Sequence, residues 1–148
     1  MANWKDWLVR KLGRGAEEAA DAANTLQIAV AALLVEIQRA DFEEGAGERA
    51  QVRASLAALF GLEDGAARAL LERAERAAEE ANDLYQFTSR VNRSYTQEEK
   101  IRLLEQLWLV ARADEVVHKY EEHVLRRIAD LLHVPHAAFI AAKLRSAG

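Results

Sequence analysis

The chain contains no cysteine. That excludes a disulfide framework, a thiolate metal site and a cysteine nucleophile, and it accords with the reducing cytoplasm expected as its location. One proline and seven glycines in 148 residues leave few breaks in regular structure, and aromatic residues make up only 7%. Positive charge is not in excess: the formal net charge is −4, which argues against a nucleic-acid partner, since such binding needs a basic face. Long apolar runs are missing too. The longest, Ile28 to Val35, is closed by Glu36 and falls far short of the ~20 residues that span a bilayer. Near the start, Gly13-Arg14 follows Trp7-Leu8-Val9 so closely that no secretory apolar region is expected.

What the chain has in quantity is alanine, leucine and charge, with 51% apolar residues overall, a composition that favours helices. Residues 2–12 form a short amphipathic segment with Trp4, Trp7, Leu8 and Leu12 at helical spacing, set apart by Gly13 and Gly15. A long helix is expected over 17–40, with Leu26, Val30, Leu33, Leu34 and Ile37 on one face. A glycine-containing loop, 41–47, leads to a helix over 48–60 that stops at Gly61. Asp64 suits the N-cap of a helix over 65–81, and 82–92 is a further helical stretch. Thr96-Gln97-Glu98-Glu99 is a capping box opening a helix over 97–113. After a loop over 114–119 a helix runs to about Leu132, and Pro135 opens a last one bearing Phe139, Ile140 and Leu144. No strand-length alternation appears. The expected fold is all-α: an N-terminal segment, 1–15, and a single domain, 16–148, of about seven core helices. The helices 17–40 and 97–113 are expected at its centre, side by side.

The most specific pattern is a repeat. An apolar helix ends in Ala40-Asp41, and Glu48 opens the next amphipathic stretch; the same order returns as Ala113-Asp114 and Glu121. Asp and Glu are seven residues apart in both copies, and Asp41 and Asp114 are 73 apart. Two pseudo-symmetric helix–loop–helix halves of this kind could gather four carboxylates, which repel unless a cation joins them. Two Asp and two Glu, with carbonyls and waters, can satisfy the oxygen coordination of Ca²⁺ or Mg²⁺. Helix capping accounts for the same acids without an ion, because helix starts favour negative charge. Both accounts stand at this point.

Asp83-Leu84-Tyr85-Gln86-Phe87-Thr88, Leu107-Trp108-Leu109-Val110-Ala111-Arg112-Ala113-Asp114, Tyr120-Glu121-Glu122 and Leu131-Leu132-His133-Val134-Pro135 occur in that order. With these elements the chain, over roughly residues 24–145, resembles the bacterial TerB-like family, and more narrowly a proteobacterial branch related to tellurite-resistance TerB. The resemblance implies a compact helical domain of two related halves, with acids on one side that bind divalent cations and a link to tellurite or metal stress. On this chain those acids are Asp41, Glu48, Asp114 and Glu121. The family usually has Gly after the second Asp, where a left-handed turn is easiest; here Glu115 and, in the first copy, Phe42 stand instead.

Other chemistry is thin. Glu115-Val116-Val117-His118 has the spacing used in di-iron bundles, but the first half offers no histidine. His118, Glu122 and His123 do not share a helix face suited to zinc. The serines lie in no nucleophile elbow, and Gly13-Arg14-Gly15 lacks the surroundings of a phosphate loop. A non-enzymatic protein is expected. Residues 2–14 carry four basic side chains against one acidic. With Trp4 and Trp7 they suit docking on the domain, on a protein partner or on a second copy, or weak contact with a membrane surface.

Overall fold

A computed structural model describes residues 14–40, 46–113, 117 and 119–147, and of residues 14–22 and 46 the backbone alone. Among the described residues there are seven helices and no strand: α1 (Arg14–Arg39), α2 (Ala46–Phe60), α3 (Asp64–Glu80), α4 (Tyr85–Ser94), α5 (Gln97–Ala111), α6 (Lys119–Leu131) and α7 (His136–Ala147). None of them is long and apolar enough to cross a membrane. The N-terminal segment carrying Trp4 and Trp7 lies outside the described residues.

Local chemistry sets most of the boundaries. At the start of α5 the Thr96 hydroxyl accepts the Glu99 backbone N–H, while the Thr96 N–H donates to the Glu99 carboxylate at 2.8 Å, so two otherwise unpaired donors are satisfied together. α2 ends at Gly61, whose φ is +63°, and the Leu62 N–H returns to the Ala57 carbonyl at 3.2 Å. α4 is a separate helix, opened by the Asp83 carboxylate, which accepts the Tyr85 N–H at 3.0 Å. α1 starts earlier than its pattern suggested and takes Gly15 into its first turn.

One expectation is corrected. Glu63, not Asp64, occupies the cap position of α3, and no side chain caps it. Asp64 is already helical and pairs with Arg68 one turn on and Arg53 of α2. Of the apolar residues on the last helix, Leu144 is 68% exposed, while Phe139 and Ala142 take the buried positions of α7.

The core runs along α1 and α5. Every residue from Ala29 to Val35 is buried, as are Leu103, Leu104, Leu107, Trp108, Val110 and Ala111. Helices buried around most of their circumference must be covered on all sides. α1 touches α2, α3, α4, α5 and α6; α5 touches α1, α2, α6 and α7. Within the halves, α1 packs on α2 and α3, and α5 packs on α6 and α7. Across them, α1 meets α6 and α5 meets α2. The contact pattern therefore survives exchange of α1-α2-α3 with α5-α6-α7, as the repeat requires, with α4 as the connector between halves.

Candidate functional site

Glu48 and Glu121 are each the third residue of their helices, α2 and α6. Both are fully buried. Each of these helices packs on both α1 and α5, so both carboxyls are carried against the same central pair. Position alone does not explain the burial. Other first-turn acids remain accessible: Asp64 and Glu98 are exposed, and Glu122, the next residue after Glu121, is half-buried. The repeat places an acid at a helix start, and the packing then removes it from water in both copies.

Asp41 and Asp114, with Phe42, Glu115 and His118, lie outside the described residues. Among the described residues no group of three or more His, Cys, Asp or Glu is assembled that could hold a metal ion. Glu48 and Glu121 are thus the two members of the four-acid set that the structure places.

The surroundings of these turns contain groups that sequence reasoning passed over. Two residues before Asp41, Arg39 pairs with Glu36 one turn back, at 3.4 Å. Burial pushes the Glu36 carboxyl above its usual range, and the Arg39 charge works against that shift. A cavity of about 180 Å³ lies where α1 ends and α6 begins, lined by Glu36, Arg39, Ala40, Tyr120 and Val124. The residue preceding Glu121 therefore shares a cavity with the residue preceding Asp41, which joins the start of the second half's acid helix to the end of the first half's long helix. A second, polar hollow of about 150 Å³ lies behind Glu36 and Arg39, against Asn82 and Asp83. The sequence signal for one of these groups was present: the repeated unit is Arg-Ala-Asp, Arg39-Ala40-Asp41 and Arg112-Ala113-Asp114, one residue longer than the acids alone suggest.

The second arginine is used differently. Arg112 donates to the Ser146 hydroxyl at 3.1 Å and to the Lys143 carbonyl at 3.0 Å, and it lies over the Trp108 ring, 5.6 Å from the centroid. The Lys143 ammonium covers the same ring at 5.2 Å and pairs with Glu122 at 3.5 Å. In the first half Arg49, the neighbour of Glu48, makes a two-pronged pair with Glu75 of α3 at 2.9 and 3.2 Å, and Gln38 of α1 donates to the same carboxylate at 3.4 Å. Arginine forks match carboxylates in this geometry, and Arg49 holds the Glu75 carboxyl below its usual range.

The family model described as Tellurite resistance protein TerB matches residues 27–144. The chain belongs to the TerB family. That span takes in all of α2 to α6, the second half of α1 and most of α7, so it includes both acid-bearing turns. No match was found among curated proteins or among solved structures.

Proposed function

We propose that this TerB domain is a non-enzymatic, cytoplasmic binding protein whose two acid-bearing turns take up a divalent cation. Ca²⁺ or Mg²⁺ is the ion class, and Asp41, Glu48, Asp114 and Glu121 are the ligands. The observation that carries the reading is the burial of Glu48 and Glu121 at the same position of matching helices. Serving the helix dipole does not require an acid to be withdrawn completely from water. Withdrawing a carboxylate from water is unfavourable, and a bound cation is one of the groups that offset it. Hard cations take oxygen ligands of this kind, completed by carbonyls and waters. The tellurite-resistance name of the family supports assigning such an activity to the response to tellurite or to metal stress.

The test is thermal unfolding of EDTA-stripped protein with added Ca²⁺ or Mg²⁺. An ion bound only by the folded state raises the melting temperature by mass action, about 2.7 kcal/mol of stabilisation at a hundredfold excess over Kd. Asp114→Asn should abolish the rise. No shift at millimolar ion sinks the proposal.

A second reading makes the acids structural and the domain a docking module. The outer side of α7 supports it: Leu144 is 68% exposed and Ala137 is exposed, with the half-buried Ile140 and Ala141 between them at helical spacing. Deleting residues 1–13 or replacing Leu144 by Ser should then alter self-association or vesicle binding while the helical signal is kept. If neither quantity changes, this reading falls.

A further inference from the structure

We infer that Glu75 and Lys143 are positioning residues for the two buried glutamates, each fastening the end of one helix to the start of the next from the third helix of its own half. The inference rests on the cation reading for its functional consequence, though the fastening itself is a matter of geometry.

In the first half a single carboxylate is shared by both sides of the acid turn. Gln38, in the last turn of α1, and Arg49, in the first turn of α2, both donate to Glu75 of α3. In the second half a different position of the third helix makes the tie: Lys143 of α7, through its backbone carbonyl on one side and its ammonium on the other. Arg112, just after α5, donates to its carbonyl, and Glu122, in the first turn of α6, pairs with its ammonium. Ser146 completes this fastening, since its hydroxyl accepts from Arg112 and donates to the Lys143 carbonyl at 2.7 Å. Arg49 follows Glu48 directly, and Glu122 follows Glu121 directly. Arg49 and Glu122 thus stand at equivalent positions of the repeat with opposite charge, and each meets an opposite charge on the third helix of its half, though at different places along it: Glu75 of α3 in one half, Lys143 of α7 in the other.

Opposite charge at the equivalent positions 49 and 122 means that neither sign is needed by the buried glutamate beside it. The shared element is the tie between consecutive helices. Such a tie limits how far the first turn of α2 or α6 can shift, so the carboxyl it carries is held ready for a ligand and less ordering remains to be done on binding. Each pair is only partly buried. The effect of each is therefore modest and local.

The experiment uses the full chain, with Glu75→Gln, Lys143→Met and the double variant Arg49→Glu/Glu75→Lys, which gives the first half the polarity already present in the second. Hydrogen exchange of the ion-free proteins is followed in the first turns of α2 (46–50) and α6 (119–123), together with Mg²⁺ and Ca²⁺ titration by calorimetry. Glu75→Gln should speed exchange about two- to fivefold in α2 alone, Lys143→Met likewise in α6 alone, and the double variant should return α2 to the wild-type rate. Ion affinity should fall in each single variant by a similar factor and recover in the double variant. Unchanged exchange at 46–50 in Glu75→Gln, or acceleration spread evenly over all helices, overturns the inference. A wild-type protein that shows no ion response at all removes the cation reading instead, while the exchange result still decides the fastening.

Discussion

Gly61 and His133 end their helices by the same turn, with φ of +63° and +59°. In each case the following residue returns its N–H five residues back, Leu62 to the Ala57 carbonyl and Val134 to the Ala129 carbonyl. This is the left-handed termination that glycine adopts freely and other L-residues adopt at a cost of about 1–2 kcal/mol. His133 bears that cost. Replacing it by glycine should raise stability by about 0.5–1 kcal/mol, the strain released less the extra freedom of glycine in the unfolded chain. Gly61→Ala should lower stability by about 1 kcal/mol, and from conformation alone, because no atom within 4 Å meets an added Cβ there. Urea unfolding of both variants checks the opposite signs.

Glu36 and Glu75 should respond to pH in opposite directions. Burial raises the Glu36 carboxyl above the ordinary 4.5, so the folded state holds its proton to higher pH than the unfolded chain. Its contribution makes folding less favourable as pH rises through that window. Arg39 beside it, with Asn82 and Asp83 across the hollow, leaves the shift in that direction. Arg49 lowers the Glu75 carboxyl instead, so its contribution is present above 4.5 and is lost as pH falls through the lowered value. Glu36→Gln should therefore raise the melting temperature at pH 7 and leave it unchanged at pH 3. Glu75→Gln should lower it at pH 7, with the difference shrinking on acidification. Calorimetric melting at the two pH values separates the carboxylates, and equal behaviour of both variants would refute the assignment.

The line between what the chain discloses and what it withholds follows sequence distance. The capping box at Thr96 and Glu99 is legible because its partners are three residues apart and their chemistry is local. The repeat is legible because two copies agree in spacing, and it marks Glu48 and Glu121 before any contact is known. Asp64 was misread because it stands beside Glu63, and local pattern does not say which of two adjacent acids is the cap. Glu75 is one of several similar charges on α3, among Glu72, Arg73, Arg76 and Glu79. Only the packing of α3 against α1 and α2 selects it for Arg49 and Gln38. Lys143 is hidden in the same way, since its partners lie 21 and 31 residues away.

Trp108 provides the test of the packing itself. It is fully buried, lies against Phe139 with ring centroids 5.2 Å apart, and is covered by Arg112 and Lys143. Its indole Nε1 is buried and meets no acceptor among the described residues. The ring thus contributes through area and cation contact rather than through a hydrogen bond. Trp108→Ala should cost about 3–5 kcal/mol through lost burial and the cavity left behind. Trp108→Phe should cost less than half of that, since it keeps an aromatic face for the two cations and breaks no hydrogen bond. The ordering matters because a catalytic or ligand-binding indole would show the reverse economy, losing activity with the N–H while stability held. Chemical denaturation followed by circular dichroism gives the two values. A phenylalanine variant as unstable as the alanine one would mean that the indole N–H has a partner after all.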